Sequence, residues 1–291
     1  MKQLFLVVIL CICTSQLFSQ AKQFSYNTEK RRYMIYLPTS YSQTSEKSFP
    51  VVFNFHGGGM TMTEQMFYSE MNDSAEKYQF IVVYPQGIKQ DWNVGFETSY
   101  RNGTDDVGFI NALLEKLAKE YRINTARVYA TGLSRGGFFC QRLAAELPEK
   151  FAAIASVGGP LPDSVAFFHK KKVPIGVMIV HGTGDEVVKY DGKKDAYQSA
   201  TGTYNYWKKH NGLEHSKETS SNIDRLPKDS TAVTTLEVSQ NNVAVVLISI
   251  KGGGHTLPGA DPFNIGFPLG HTTQEIDNNE LIWRFFSRHK R

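Results

Sequence analysis

The sequence predicts an α/β fold, a mostly parallel central sheet with helices on both faces. Three observations lead there. Short runs of β-branched and aromatic residues are apolar at successive positions, as strands covered on both faces require. Segments with a three-four apolar rhythm lie between them, and glycine-rich turns follow several of the runs directly. The runs fall at residues 34–37, 51–55, 80–84, 128–131, 153–157, 175–180 and 243–250. Of the 291 residues, 41% are hydrophobic and 21% charged, which excludes a disordered chain, and no tract repeats as a coiled coil or solenoid would.

The helical segments can be placed in the same way. From 105 to 121, Val107, Ile110, Leu113, Leu114, Leu117 and Tyr121 form one apolar face, with Thr104 or Asp105 available as the N-cap. Residues 138–147 form a second helix, stopped by Pro148. Residues 275–289 form a last one, with Ile276, Leu281, Ile282, Phe285 and Phe286 on one side. The polar stretch 214–229 reads as a surface excursion. After it, 234–238, the turn at 240–242 and the strand at 243 read as a hairpin near the sheet edge. No linker divides the chain, so residues 21–291 are expected to form a single catalytic domain.

Residues 1–20 read as a secretory signal peptide. Lys2 precedes an apolar stretch over 4–13, and a polar shift follows through Thr14, Ser15 and Gln16. The stretch is shorter than the roughly 20 residues a membrane span needs. Its removal takes Cys11 and Cys13 away and leaves Cys140, read as a small core residue, with no internal disulfide partner. The formal charge of +4 is dispersed, and Lys170–Lys172 is too short a basic run for nucleic-acid binding. The expectation is an exported protein, periplasmic or extracellular, with no membrane span in the mature chain and no nucleic-acid partner.

The most informative segment is Gly132-Leu133-Ser134-Arg135-Gly136, between a strand and a helix. Gly-x-Ser-x-Gly in that setting is a nucleophile elbow: the serine sits on a strained turn, and side chains two residues to either side would collide with it. A serine hydroxyl needs a base and a carboxylate to orient that base, in the order Ser, Asp or Glu, His, each after a strand end. Asp185 follows the strand 175–180, and His255 follows the strand 243–250 through Gly252, Gly253 and Gly254. Glu186 competes for the carboxylate role. His181 reads as structural, His271 has no strand end to deliver it, and His169, His210, His215 and His289 read as solvated. Acyl transfer also needs N–H donors at the developing oxyanion. Arg135 supplies one, and the run His56-Gly57-Gly58-Gly59 supplies the other, with Gly58 chosen and Gly57 or Gly59 as alternatives.

The chain resembles the α/β-hydrolases that include secreted polyhydroxybutyrate depolymerases and the feruloyl and acetylxylan esterases of carbohydrate esterase family one. The likeness rests on His56-Gly57-Gly58, Tyr84-Pro85-Gln86-Gly87 with Trp92-Asn93, and Asp105-Asp106-Val107-Gly108-Phe109. It continues through Gly132–Gly137, His181-Gly182 with Asp185, and Gly252-Gly253-Gly254-His255-Thr256-Leu257-Pro258-Gly259. It implies Ser134, Asp185 and His255 as the triad, which the residues give separately. Related esterases commonly carry tryptophan where this chain has Leu257, so Leu257 is expected to border the substrate without an aromatic wall. The polymer depolymerases tend to carry paired cysteines and a polymer-binding domain, and this chain has neither, which favours small or oligomeric esters.

Trp92 reads as a substrate-stacking ring or, alternatively, a polar-tipped core tryptophan. Trp207 reads as packing, and Asp106 as a residue that positions a loop or helix end. No metal-ligand spacing or phosphate-binding loop is present, so no cofactor is expected. The expected activity is that of an exported serine ester hydrolase acting on feruloyl or acetyl esters of plant cell-wall polysaccharide. Polyhydroxyalkanoate oligomers are the alternative substrate, a peptidase on the same fold is a weaker one, and a silent binding module is the rival of another class. The residues leave the oligomeric state open.

Overall fold

The computed structural model describes residues 20–226, 229–261 and 269–291. The signal-peptide reading falls outside the described residues except for Gln20, where the first strand begins. The strands are β1 (Gln20–Tyr26), β2 (Glu29–Tyr36), β3 (Phe49–Phe55), β4 (Ile81–Pro85), β5 (Ile123–Leu133), β6 (Ala153–Val157), β7 (Gly176–Gly182), β8 (Glu218–Ile223), β9 (Ala232–Gln240) and β10 (Val243–Lys251). The helices are α1 (Ser40–Gln43), α2 (Met62–Ser69), α3 (Met71–Tyr78), α4 (Asp106–Glu120), α5 (Arg135–Glu146), α6 (Asp163–Phe168), α7 (Ala200–His210) and α8 (Asn278–Ser287).

All these strands form one sheet in the order β1-β2-β4-β3-β5-β6-β7-β10-β9-β8. Its centre, β4 to β10, is parallel throughout. Antiparallel pairs flank it, β1 with β2 and β2 with β4 at one side, β9 with β10 and β8 at the other. Successive side chains of β3 alternate between two cores: Val51, Phe53 and Phe55 join the layer under α4, α5 and α7, and Val52 joins the layer under α2, α3 and α8. That double burial is why the central strands lack polar alternation.

The expected central strands and the hairpin before β10 are present. Asn241 and Asn242, both at positive φ (52° and 63°), make its turn. Asp105 caps α4 by accepting the Gly108 N–H at 2.9 Å. The polar stretch after residue 214 is not only an excursion: Glu218–Ile223 pairs with β9 as the edge strand. Its outward, polar side chains are what an edge strand facing water carries, so no apolar pattern marked it. Helices α1, α2, α3, α6 and α7 add to the three expected. The signal for α2 was the capping box Thr61-Met62-Thr63-Glu64, in which the Thr61 N–H donates to Glu64 at 2.6 Å.

Candidate active site

Ser134 stands between β5 and α5 at φ 56°, ψ −119°, a conformation that costs a non-glycine residue about 1–3 kcal/mol. The neighbours hold it there. Its N–H donates to the Val157 carbonyl at 2.8 Å, and its carbonyl accepts the Phe138 N–H at 2.9 Å. A Cβ on Gly136 would lie 2.2 Å from the Phe55 carbonyl oxygen, and one on Gly132 would lie 2.7 Å from the same atom. The two elbow glycines are therefore dictated by the end of β3, which passes directly beneath. Helix α5 begins at the next residue, with its positive end at the serine.

The carboxylate and imidazole meet because their loops are zipped together. Thr183 and Gly184 N–H groups donate to the carbonyls of Ile250 and Gly253 at 2.8 and 2.9 Å. A Cβ on Gly182 would sit 2.2 Å from the Gly253 oxygen, one on Gly254 would sit 2.0 Å from the Leu269 oxygen, and Gly252 lies at φ 69°. The glycine run thus permits backbone to pack on backbone. The result is a 2.6 Å hydrogen bond from His255 Nδ1 to Asp185 Oδ2. Asp185 is buried, and its Oδ1 accepts the N–H groups of Val187 and Val188 at 2.9 and 2.7 Å. Burial alone would raise its pKa, but hydrogen bonds from His181 and His255 outweigh this and hold it well below the usual carboxylate range. His181 is itself buried, its Nε2–H donating to the Val188 carbonyl at 2.8 Å while standing 3.3 Å from Asp185 Oδ2. Glu186, the rival carboxylate, is exposed and pairs with Lys189.

Ser134 and His255 line one cleft of about 590 Å³. Phe96, Phe138 and Tyr197 form an aromatic wall, with ring centroids 5.0 Å apart for Phe96–Phe138 and for Phe138–Tyr197. Tyr68 of α2 contributes a further ring, and Glu186, Lys189 and Lys193 also line the cleft.

On the oxyanion side, His56 fixes the glycine run. Its Nε2 accepts the Gly87 N–H at 2.9 Å, so the proton is on Nδ1, which donates to the Gly57 carbonyl at 2.8 Å. In a trans peptide the next N–H points the opposite way, so that of Gly58 is turned from the His56 ring. The Gly59 N–H is bonded to the Gln90 carbonyl at 2.8 Å, which removes that alternative. A Cβ on Gly58 would stand 2.9 Å from Arg135 Cγ, so the Gly58 backbone packs on the residue after the serine. The Arg135 guanidinium is held by Asp91 at 3.2 Å and by Glu97, over the ring of Phe96.

Over residues 25–238 the sequence matches the esterase family described as "Putative esterase". The chain belongs to that family. It is 26% identical over 227 residues to the bifunctional acetylxylan esterase/xylanase XynS20E of Neocallimastix patriciarum, covering 78% of this chain and 31% of that one. It is 27% identical over 247 residues to feruloyl esterase B of Piromyces equi, covering 77% and 42%. The chain spans less than half the length of either relative. Among solved structures, the acetyl xylan esterase from Aspergillus awamori matches with a TM-score of 0.64 at 17% identity, covering 92% of this chain and 99% of that one. The sheet order and this likeness give the chain an α/β-hydrolase fold, as its motifs suggested.

Two residues expected to touch substrate do not line this cleft. Trp92 is 2% exposed; its ring stacks on Phe139 at 5.0 Å, meets Phe55 edge-on, and donates its indole N–H to the His56 carbonyl at 3.0 Å. It is the polar-tipped core tryptophan of the two alternatives, because a loop residue that bonds to the end of β3 is drawn under the sheet edge. Leu257 is 3% exposed and packs in the α2/α8 core; its N–H donates to the Tyr68 hydroxyl at 3.0 Å. The aromatic ring near His255 therefore comes from α2, a helix whose capping box was the only local signal.

The remaining histidines are not solvated as a group. His289 is buried, its Nδ1–H donating to the Phe285 carbonyl at 2.8 Å, and His169 and His210 are half-buried with ring centroids 4.4 Å apart. The lysines near them conceal this burial in the sequence. Asp106 is structural as expected, paired with Arg31 at 2.7 Å and accepting the Asn93 N–H at 2.8 Å. Cys140 is buried and free.

The buried histidines predict acid sensitivity. Burial lowers the His56 pKa from 6.5 to about 4, against opposing contributions from the Gly57 hydrogen bond and the Glu64 charge. Below pH 6.5 the unfolded chain gains a proton that the folded His56 refuses, so stability falls as pH drops toward 4, by about 3 kcal/mol from this residue. His169, also lowered to about 4, acts in the same direction. The thermal midpoint should be level from pH 8 to about 6.5 and drop steadily from there to 4.5. Equal midpoints at pH 7.5 and 4.5 would contradict the burial of these rings.

Proposed function

We propose that the protein is an exported serine esterase that cleaves aromatic acyl esters, of the feruloyl type, from plant cell-wall polysaccharide. The observation that carries the reaction is the Asp185–His255 hydrogen bond beside Ser134 on one cleft. His255 Nε2 takes the Ser134 proton as Oγ attacks the ester carbonyl, and Asp185 keeps the imidazole in the tautomer that can accept it. The backbone N–H groups of Arg135 and Gly58 receive the oxyanion. Collapse of the tetrahedral species returns the proton to the departing alcohol oxygen and leaves the acyl group on Ser134. Water, deprotonated by His255, then releases the acid and restores the hydroxyl.

The aromatic wall of Phe96, Phe138 and Tyr197 favours a ring-bearing acyl group over acetyl, since an acetyl group would leave most of a cleft of about 590 Å³ unfilled. Relatives named for feruloyl and acetylxylan esterase activities support the reaction class. The leader-like pattern over residues 1–20 supports export.

The test is a substrate panel: methyl ferulate, p-nitrophenyl acetate, acetylated xylan and hydroxybutyrate oligomers. Methyl ferulate is expected to have the highest kcat/KM. Phe96→Ala should raise its KM about tenfold, equivalent to about 1.4 kcal/mol, and leave p-nitrophenyl acetate nearly unchanged. A preference for acetylated xylan or for the hydroxybutyrate oligomers would overturn the acyl assignment.

A further inference from the structure

Helix α2 is bonded to both arms of the catalytic centre, and no step of the reaction described above uses it. We infer that Tyr68 of α2 is a positioning residue for His255: its hydroxyl fixes the loop that carries the imidazole, so that the ring stays in line with both Asp185 and Ser134. The inference rests on the esterase reading above, and it adds a residue that acts through His255 and not on the ester.

The first observation is how the histidine loop is held. On its entry side the ties are backbone bonds: the N–H groups of Gly254 and His255 donate to the carbonyls of His271 and Leu269 at 2.8 and 2.5 Å. Just beyond the imidazole the tie is a side chain, the Tyr68 hydroxyl, which accepts the Leu257 N–H at 3.0 Å. Leu257 is buried, so without that acceptor its N–H would stand unpaired until the backbone moved to find another. Such a movement swings the His255 ring, whose Nδ1 must stay 2.6 Å from Asp185. A misplacement of about 1 Å in a catalytic group can cost a rate factor on the order of 100.

The second observation is that α2 is itself anchored to the opposite arm. Asn54 lies on β3 shortly before His56, and a buried amide on a central strand is costly unless it is paired. Both of its polar atoms go to α2: Oδ1 accepts Gln65 Nε2 at 2.8 Å, and Nδ2 donates to Ser69 Oγ at 3.0 Å. Gln86, which donates to His56 Nε2 at 3.0 Å, accepts the Met62 N–H at 2.9 Å. Gln65, Tyr68 and Ser69 are spaced by three and four residues and so share one side of the helix. The side that is bonded to β3 therefore also delivers Tyr68 to the histidine loop. The third observation is the state of the phenol. Its ring borders the cleft with His255, and burial pushes its pKa up against the opposing effect of the Leu257 hydrogen bond. The oxygen stays a neutral acceptor, and no phenolate charge arises beside the imidazole.

The test is Tyr68→Phe, which keeps the ring and removes the hydroxyl. Its kcat should fall about tenfold on methyl ferulate and on p-nitrophenyl acetate alike, with KM within twofold, and labelling of Ser134 by a fluorophosphonate should slow by the same factor. In the parent protein the proton on His255 Nδ1 should give a far-downfield NMR resonance, assigned by its loss in Asp185→Asn; in Tyr68→Phe that resonance should broaden or move upfield. Tyr129→Phe controls for stability. The Tyr129 hydroxyl makes a buried bond to the His289 carbonyl at 2.7 Å and is not part of the cleft. Its loss should lower the thermal midpoint and leave kcat, measured well below that midpoint, within twofold. A Tyr68→Phe kcat within twofold of the parent value would overturn the inference. So would a rise in KM for methyl ferulate alone, which would make the hydroxyl a substrate contact, or an equal fall of kcat in Tyr129→Phe, which would trace the effect to stability. A parent protein that neither turns over methyl ferulate nor takes the label would refute the esterase reading itself, and this inference with it.

Discussion

Ser134→Ala is expected to lower kcat on methyl ferulate by a factor on the order of 10⁶, the loss found when the nucleophile of a serine triad is removed. No other group can take its place. The free cysteine, Cys140, is buried, and burial pushes its thiol pKa well up, so it offers no thiolate. The change should leave the fold intact, because the elbow is held by backbone bonds to Val157 and Phe138 and not by the hydroxyl. A fluorophosphonate probe should label the parent protein once, at Ser134, and leave the variant unlabelled. Retention of a hundredth or more of the parent kcat in a clean preparation would end the assignment, as would an unlabelled parent protein, which would point to a binding module.

Asp185→Asn should reduce kcat by about 10⁴ with little change in KM. The carboxylate takes hydrogen bonds on both oxygens, from Val187, Val188 and His255, with His181 at 3.3 Å. An amide of the same shape must turn its NH2 group toward one of these sets. If it faces His255, the imidazole is forced into the tautomer with Nε2 protonated, which cannot accept the Ser134 proton. If it faces Val187 and Val188, two buried donors oppose a third, which costs about 1–3 kcal/mol of stability. Circular dichroism and a thermal melt separate these outcomes from unfolding. Glu186→Gln is the control: its carboxylate is exposed and bound to Lys189, so kcat should stay within twofold. A similar fall in both variants would show that the wrong carboxylate had been chosen.

The three residues proposed as the triad stand out in the chain because each follows the end of a largely apolar strand. A strand end fixes position and direction together, and glycines at 132, 136, 182, 252 and 254 mark where backbone must pass close to backbone. Trp92 and Leu257 show the limit. Both are near the motif residues in sequence, but a side chain on a loop can turn to either side, and both turned inward to apolar cores. Tyr68 and Phe96 had no motif beside them and still line the cleft.

The sequence by itself determined the class of sheet, the strained serine and the order of the three polar groups, since these follow from local spacing and the steric needs of a turn. Tertiary structure alone decided which rings line the cleft and why Asp185 and not Glu186 meets the imidazole. Those outcomes depend on contacts between segments tens to hundreds of residues apart. Packing there selects one side-chain direction from several that the local chain permits equally.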